Sequence, residues 1–306
     1  MKILITGGLG FQASHLAEYL LDKGHQITVL NTYSEKVEKD SALLKDKVKI
    51  VFGSITDREI VDKTSRDQDV IFHFAARINV DESIKQPLDH ISVNVLGTYN
   101  VLEAVKTYGS KLILASSCEA YGGKDVPIIE TDELRPQSPY AASKAAADRL
   151  AYAYHKTYGV KVVIVRPFNI FGERQKEKMG GAVIPIFISK AMGGESLTIF
   201  GTGEQTRDYT YISDLVRAYV SILENFEKLN GEVINFGTGK ETSIKSIAEY
   251  IAKKFGVEVK HETPRPGEVK QFICNYDKAK KLLDWEPQVS IWEGIDKVIE
   301  WRRKQS

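Results

Sequence analysis

Two side chains suited to proton transfer stand four residues apart, Tyr140 and Lys144. They fall on a predicted helix that begins at Pro139 after a capping Ser138, so both project from one face of that helix. A free phenol has a pKa of about 10, and a cationic amine beside it favours the phenolate that a general base requires near neutral pH. The pair therefore predicts Tyr140 as a proton acceptor, although a tyrosine and a lysine at this spacing most often lie on a helix surface.

A glycine-rich turn near the N-terminus predicts a dinucleotide site. Gly7, Gly10 and Ala13 follow the β-branched run at residues 2–6 and open a helical segment. This spacing lets backbone amides approach a pyrophosphate at a helix N-terminus. Asn31 ends the second predicted strand, where an acidic residue normally accepts hydrogen bonds from the adenosine ribose of NAD. Because no arginine follows to bind a ribose phosphate, the sequence favours NAD over NADP.

The elements that must position these residues alternate between short strands and helices. Strands are expected at residues 2–6, 26–30, 48–52, 70–74, 111–116 and 161–166. This alternation predicts an α/β fold with a doubly wound parallel sheet of the Rossmann type. After about Gly172 the pattern predicts a second, smaller α/β lobe, with a strand at 232–236 and helices at 244–255 and 291–301.

The predicted division is a cofactor domain over residues 1–170 and a substrate domain over residues 171–306, with part of 209–240 returning to the first domain. Lysine plus arginine (42) nearly balances aspartate plus glutamate (41), so no global field draws the chain to nucleic acid or to an anionic membrane. Cys118 and Cys274 match no metal-ligand spacing and are expected to be free thiols of a cytoplasmic protein. No run approaches the roughly 20 apolar residues of a membrane span.

Two further segments carry a family resemblance. They are residues 115–122, with the sequence ASSCEAYG, and residues 138–144, with the sequence SPYAASK. With the glycine turn, they resemble the extended short-chain dehydrogenases/reductases of the nucleotide-sugar epimerase/dehydratase group, over nearly the whole chain. The resemblance implies a catalytic triad in which Ser117 bonds the reacting hydroxyl, Tyr140 is the base and Lys144 holds the nicotinamide ribose.

The same resemblance implies contacts to NAD and to a nucleoside diphosphate sugar. The implied cofactor-binding residues, besides Tyr140 and Lys144, are Gly7, Gly10, Phe11, Gln12, Asn31, Ser54, Ile55, Phe74, Ala75 and Ala76. Ser54 stands where the family usually has an aspartate that accepts from the adenine amino group. The implied substrate-binding residues are Asn169, Arg207 and Arg265, and a planar guanidinium suits a diphosphate. A homodimer formed through residues 94–106 and the helix that carries Lys144 is also implied.

The implied reaction is oxidation of the sugar at C4, rotation of the ketone and its reduction on the other face, as in UDP-glucose 4-epimerases. Glu119 leaves a second reaction open, because it resembles the glutamate that removes the C5 proton in 4,6-dehydratases and assists related decarboxylases. Cys118 replaces the aspartate of those dehydratases, and it is either a weak proton donor or a small buried residue. A third reading is a non-catalytic NAD(P)-binding regulator.

Overall fold

A computed structural model describes residues 1–34, 44, 46–177, 182–264 and 269–305 of the chain. The strands, in chain order, are β1 (Lys2–Thr6), β2 (Gln26–Asn31), β3 (Lys49–Phe52), β4 (Val70–His73), β5 (Lys111–Ala115), β6 (Val162–Pro167), β7 (Ile170–Phe171), β8 (Leu197–Phe200), β9 (Thr206–Asp208), β10 (Thr210–Tyr211), β11 (Val233–Phe236), β12 (Glu241–Ser243), β13 (Val259–Glu262) and β14 (Gln271–Phe272).

The α-helices are α1 (Phe11–Asp22), α2 (Arg58–Ser65), α3 (Val80–Lys85), α4 (Pro87–His90), α5 (Gly97–Tyr108), α6 (Pro139–Tyr158), α7 (Val183–Met192), α8 (Ile212–Glu224), α9 (Phe226–Leu229), α10 (Ile244–Phe255), α11 (Asp277–Leu283) and α12 (Ile291–Arg303). A π-helical segment, Ile91–Leu96, leads into α5, and a 3-10 helix, Cys118–Tyr121, follows β5.

The main sheet has seven parallel strands in the order β3-β2-β1-β4-β5-β6-β11. This confirms the doubly wound parallel sheet predicted from the sequence. The strand ends differ from the predicted ends by at most one residue, which is within the ordinary uncertainty of strand boundaries. The first six strands follow the order of dinucleotide-binding folds, in which ligands bind outside the carboxyl ends of the strands.

Alternate residues of each central strand enter different apolar clusters on the two faces of the sheet. In β1, Ile3 and Ile5 pack with Leu16 of α1, whereas Leu4 packs with Val101 of α5 on the other face. This is the two-residue periodicity of a strand that is covered on both sides. Burial of each large aliphatic side chain stabilises the fold by about 1.5–3 kcal/mol. The packed sheet therefore gives the loops at its carboxyl edge a rigid support.

Local sequence explains where α6 begins and ends. The Ser138 hydroxyl accepts a hydrogen bond from the Ala141 amide at 3.1 Å, and Pro139 occupies the first helical position. Gly159 ends the helix with a φ of 67°, a left-handed conformation that glycine adopts without strain. Tyr140 therefore lies in the first turn, and Lys144 lies one turn further along.

The remaining strands form small sheets, in which β9 lies between β12 and β14, β8 pairs with β13, and β7 pairs with β10. From this part of the chain, β11 returns to the main sheet and pairs with β6, so that Val233 lies opposite Ile164. The division into domains at residue 170 stays a prediction. Of the helices in the described ranges, none combines the length and the apolar character that a membrane crossing requires.

Candidate active site

The glycine turn brings two backbone segments into direct contact. Gly7 follows β1 with a φ of 69°, and a Cβ built on it would lie 2.9 Å from both the Cα and the N of Ala75. At Gly10, a Cβ would lie 3.0 Å from the Gly7 carbonyl oxygen. Phe11 and Gln12 follow as the first residues of α1, whose N-cap, Gly10, has no side-chain hydrogen bond. The turn thus leaves the N-terminus of α1 uncovered by side-chain caps.

The predicted adenosine contacts lie at the carboxyl ends of β2 and β3. Asn31 Oδ1 accepts from the Leu9 amide at 3.3 Å, which ties this side chain to the glycine turn. The Ser54 hydroxyl contacts the Thr56 hydroxyl at 2.7 Å and accepts from the Thr56 amide at 3.1 Å, so it closes its own turn. Ile55, the residue after Ser54, is buried in an apolar cluster on one face of the sheet. Asn31 and Ser54, which stand where the family usually has carboxylates, therefore both form hydrogen bonds within the protein.

Phe74, Ala75 and Ala76 follow β4 and run beside the glycine turn. The Phe74 amide donates to the Thr6 carbonyl oxygen at 3.1 Å, and the Ala75 amide donates to the Thr6 hydroxyl at 3.3 Å. These bonds hold the segment against the end of β1. The predicted cofactor segments are thus adjacent in space although about 70 residues separate them in the chain.

His73 closes β4 as a satisfied core residue. Its Nδ1 lies 2.6 Å from the Thr6 hydroxyl and its Nε2 lies 3.0 Å from the Thr98 hydroxyl. Because Thr98 donates its own proton to the Asn94 carbonyl oxygen at 2.6 Å, we assign the imidazole proton to Nε2 and the acceptor role to Nδ1. Burial, and then the charge of Lys144, lower the pKa of His73 to about 3, so the ring is neutral.

Tyr140 and Ser117 lie close together at this site. Burial raises the pKa of the Tyr140 phenol above its usual value, the Ser117 side chain acts in the opposite direction, and Glu119 and Cys118 raise the pKa further. This differs from the expectation that Lys144 makes the phenol acidic, because burial disfavours the charged phenolate more than its neighbours stabilise it. Lys144 Nζ itself donates to the Ala115 carbonyl oxygen at 2.6 Å.

Lys144 itself is almost fully buried, at 7% exposed. Burial lowers the pKa of its ammonium to about 8, and the negative charge of Asp148 acts in the opposite direction. A lysine with this pKa is still largely cationic at pH 7. It can hold a hydroxyl-rich ligand through its remaining protons, since an ammonium carries three donors.

The turn after β5 carries Ser117 and Glu119. The Ser117 hydroxyl caps the 3-10 helix by accepting from the Glu119 amide at 3.2 Å. Glu119 is partly buried, and this burial raises the pKa of its carboxyl group, while Arg207 lowers it. Glu119 therefore faces both the Tyr140 phenol and the Arg207 guanidinium, a position from which it can contact a ligand held between them.

Cys118 points the other way, into a small apolar cluster. It is 3% exposed and packs with Tyr121, Ile128, Phe168, Phe272 and Cys274. Burial is the largest influence that raises the pKa of its thiol, followed by the charge of Glu119. The structure thus favours the packing interpretation of Cys118 over the proton donor. It also favours packing for Tyr121, which is 3% exposed.

The predicted diphosphate ligands lie on β9 and just before β7. Arg207 Nη1 donates to the Thr206 carbonyl oxygen at 2.8 Å, and the guanidinium lies 5.4 Å from the centroid of the Phe272 ring. Asn169, with a φ of 33°, donates from Nδ2 to the Asp208 carbonyl oxygen at 3.1 Å. Asn169 and Arg207 are therefore close neighbours. Arg265 lies outside the described residues.

Asp208 is a buried residue of this region to which the sequence motifs assign no role. Its carboxylate accepts from the Thr238 amide at 2.7 Å, the Thr238 hydroxyl at 2.6 Å, the Gly239 amide at 2.8 Å and the Cys274 amide at 3.1 Å. It thereby fixes the strand that carries Arg207. Only its position directly after Arg207 gives a signal in the sequence. Within the described ranges, no group of three or more metal-ligating side chains occurs.

Comparison with known proteins agrees with this geometry. The family model of GDP-mannose 4,6 dehydratase matches residues 4–298. The chain belongs to this family. A putative UDP-glucose 4-epimerase of Methanocaldococcus jannaschii is 34% identical over 310 residues and covers 99% of each chain.

Other members of the family carry out different reactions. A UDP-N-acetyl-alpha-D-glucosaminuronate decarboxylase of Bacillus cytotoxicus is 34% identical over 317 residues, which cover 99% of this chain and 98% of the decarboxylase. Among solved structures, a UDP-glucuronic acid 4-epimerase of Bacillus cereus, in complex with UDP-glucuronic acid and NAD, superimposes with a TM-score of 0.92 at 30% identity and covers all of both chains. The family therefore includes both epimerases and enzymes that remove a substituent.

Proposed function

We propose that the chain is an NAD-dependent epimerase that inverts C4 of a nucleoside diphosphate sugar through a transient 4-keto sugar. The observation that carries the proposal is that Ser117 and the Tyr140 phenol lie close together at the same edge of the sheet as the glycine turn. Epimerases that act on UDP-glucose and UDP-glucuronic acid are among the relatives and support a UDP-sugar as substrate.

NAD fits the residues that are present. The glycine turn is a cradle that a Cβ at Gly7 or Gly10 would fill, and such a turn lets a pyrophosphate reach the amides of a helix N-terminus. Phe11 and Gln12 would lie beside the pyrophosphate, Asn31, Ser54 and Ile55 beside the adenosine, and residues 74–76 beneath the dinucleotide. NAD, when bound, supplies reversible two-electron redox chemistry. The epimerase of known structure that contains NAD supports NAD as the cofactor.

The chain's own residues then have distinct tasks. Ser117 orients the C4 hydroxyl, and Tyr140 accepts the proton of that hydroxyl on its phenol oxygen. Lys144 holds a ribose of the cofactor and adds positive charge to the site. After the ketone turns its other face, Tyr140 returns the proton to the new C4 hydroxyl. No net oxidation remains at the end of the turnover.

The diphosphate of the substrate would be held by Asn169, Arg207 and Arg265. Arg207 is suited to this because its guanidinium lies over the Phe272 ring and uses Nη1 for the Thr206 carbonyl oxygen, while a guanidinium has five N–H donors in all. A planar guanidinium binds phosphate oxygens through two parallel hydrogen bonds. The influence of Arg207 on the pKa of Glu119 supports a sugar position between the diphosphate ligands and Tyr140.

A C5-directed reaction is the second candidate, and the position of Glu119 beside both Tyr140 and Arg207 is the observation that favours it. A carboxyl group whose pKa is raised is suited to proton transfer near neutral pH. In an epimerase, Glu119→Gln is expected to reduce kcat by about tenfold or less. In a dehydratase or decarboxylase, the same change is expected to reduce kcat by on the order of 10³-fold.

The test is turnover of a panel of UDP-sugars in deuterated water, followed by proton NMR of the sugar. Inversion at C4 without solvent label is expected for the epimerase, and deuterium at C5 would support the second candidate. Tyr140→Phe is expected to lower kcat by on the order of 10³-fold, while NAD binding is retained. A Tyr140→Phe variant with undiminished turnover, or a wild-type chain that converts no sugar, would overturn the proposal.

A homodimer is also proposed, through the outer faces of α5 and α6. Tyr99 of α5, Tyr152 and Tyr158 of α6, and Leu96 directly before α5 are 36%, 37%, 57% and 54% exposed, and the two helices pack against each other. Large apolar side chains exposed on neighbouring elements are typical of an interaction surface. Leu96→Glu is expected to convert the dimer to a monomer in light scattering, and a wild-type monomer would exclude the proposal.

A further inference from the structure

A buried ion pair lies behind the helix that carries Tyr140. Asp148 and Arg166 are 0% and 1% exposed. The Nε and Nη2 atoms of Arg166 donate to Oδ2 and Oδ1 of Asp148 at 2.8 and 2.9 Å. Charges so far from water are costly unless they are paired and hydrogen-bonded, and removal of one partner leaves the other uncompensated. A feature with this cost calls for a reason beyond stability.

Asp148 belongs to the same helix as Tyr140 and Lys144. It follows Lys144 by four residues, a spacing that places both on one face of α6. The charge of Asp148 raises the pKa of Lys144 against the effect of burial. His73, which faces Lys144 from β4, is neutral near pH 7 because its own pKa is about 3. Asp148 is therefore the carboxylate that favours the cationic form of Lys144.

Arg166 connects this helix to the turn that carries Ser117 and Glu119. Its Nη1 donates to the Tyr121 hydroxyl at 2.7 Å, and its guanidinium lies 4.7 Å from the centroid of the Tyr121 ring. Tyr121 is the last residue of the 3-10 helix that Ser117 caps. One guanidinium thus spans from the helix of Tyr140 to the turn of Ser117.

The Tyr121 hydroxyl also forms a hydrogen bond to a side chain of β11. It donates to Asn235 Oδ1 at 2.8 Å, and Asn235 Nδ2 donates to the Ile128 carbonyl oxygen at 3.2 Å. Every side chain of this chain of bonds is buried. The carbonyl oxygen of Glu130 also accepts from Arg166 Nη1, at 3.3 Å. The segment after the Ser117 turn is therefore bound to the sheet through the same guanidinium.

We propose that Asp148 and Arg166 act together as positioning residues for proton transfer. The Asp148 carboxylate, which Arg166 holds in place, favours the cationic form of Lys144 four residues earlier on the same helix, and the Arg166 guanidinium holds the Ser117 turn at a fixed distance from that helix. The inference rests on the proposed roles of Tyr140 and Lys144. It gives a positioning function to two buried side chains that lie behind the catalytic helix.

The charge part is tested by Asp148→Asn, with Asp214→Asn as the matched control. Asp214 is another buried aspartate, 1% exposed, which accepts from Arg217 Nη2 at 2.7 Å. The readout is the pKa of Lys144, measured by NMR of 13Cε-labelled lysine and assigned with Lys144→Arg. Asp148→Asn removes the carboxylate that pairs with both Arg166 and Arg149 and leaves the two cations uncompensated, so the Lys144 pKa is expected to fall by about one pH unit or more. The alkaline limb of kcat/KM is expected to move to lower pH with it.

The geometric part is tested by Tyr121→Phe, which removes one hydroxyl and leaves the ion pair intact. Tyr108→Phe is the matched control, because the Tyr108 hydroxyl donates to Asp62 at 2.8 Å away from the site. Tyr121→Phe is expected to lower kcat on the order of tenfold with KM and the Lys144 pKa unchanged. Tyr108→Phe is expected to change none of the three.

If Asp148→Asn does not fold, the double change Asp148→Leu with Arg166→Met removes both charges and keeps an apolar volume. It is expected to fold and to retain a lowered Lys144 pKa and a lowered kcat. The charge part is overturned if the Lys144 pKa of the folded Asp148 variant lies within about 0.3 pH units of wild type, or if Asp214→Asn shifts that pKa equally. The geometric part is overturned if Tyr121→Phe has the wild-type kcat. The lysine titration requires no turnover, so its result is independent of whether the proposed epimerase activity is found.

Discussion

Gly7 and Gly24 share a left-handed backbone, with φ values of 69° and 79°, but only Gly7 touches another segment. A Cβ at Gly24 would have nothing within 4 Å, whereas one at Gly7 would lie 2.9 Å from two backbone atoms of Ala75. Alanine in a left-handed conformation costs about 1–2 kcal/mol. Overlap with packed atoms that cannot move freely adds about 1–3 kcal/mol. The free energy of unfolding is therefore expected to fall by about 1–2 kcal/mol in Gly24→Ala and by about 2–5 kcal/mol in Gly7→Ala.

The assay is urea unfolding of both variants, together with calorimetric titration with NAD. Both substitutions reduce the entropy of the unfolded chain equally, so the difference between them isolates the contact with Ala75. Because that contact lies in the proposed cofactor cradle, Gly7→Ala is expected to weaken NAD binding at least about tenfold, and Gly24→Ala is expected to leave it unchanged. Equal losses of stability, or equal affinities for NAD, would refute the reasoning.

Three further outcomes are expected. Asn31→Asp places a carboxylate at the adenosine end and is expected to lower the affinity for NADP relative to NAD at least about tenfold by titration; an unchanged ratio would contradict this placement of the adenosine. Cys118→Ala is expected to cost about 1–2 kcal/mol in urea unfolding and to retain turnover within about tenfold, and a loss above 100-fold would restore Cys118 as a proton donor. The pKa of His73 is about 3 in the folded chain and about 6.5 in the unfolded chain. Between these two pH values the unfolded chain binds the proton and the folded chain does not. The free energy of unfolding therefore falls as the pH falls through this range, by about 1.4 kcal/mol per pH unit from this group. His73→Gln is expected to reduce that slope in urea unfolding from pH 6.5 to 4.5, and an unchanged slope would assign it to other groups.

The elements of the fold could be predicted because their signals are local. Continuous apolar runs in 2–6 and 111–116 indicate strands covered on both faces, and Ser138, Pro139 and Gly159 determine the ends of one helix through their own backbone preferences. The glycine turn is equally local, since the φ of Gly7 and the cap at Gly10 depend on the absence of side chains at those positions.

The pairings that set the chemistry of the site were beyond the sequence, since each joins residues far apart in the chain. The side-chain oxygen of Asn31 accepts a hydrogen bond from the Leu9 amide, and the ammonium of Lys144 donates one to the Ala115 carbonyl oxygen. The resemblance to a family identified Tyr140 and Ser117 as partners, but the raised pKa of Tyr140 follows from burial, which only the packed structure determines.

The sequence alone therefore determined the parallel sheet and the glycine turn, because these follow from backbone preferences and short spacings, while the family resemblance named the candidate reactive groups. The tertiary structure decided which of those groups are charged, which are buried and which meet. Arg166 shows the difference: in the sequence it is one arginine at the end of a strand, and in the fold it bonds Asp148 and Tyr121, from two other elements. Desolvation and charge pairing depend on all neighbours in space, and no local pattern encodes them.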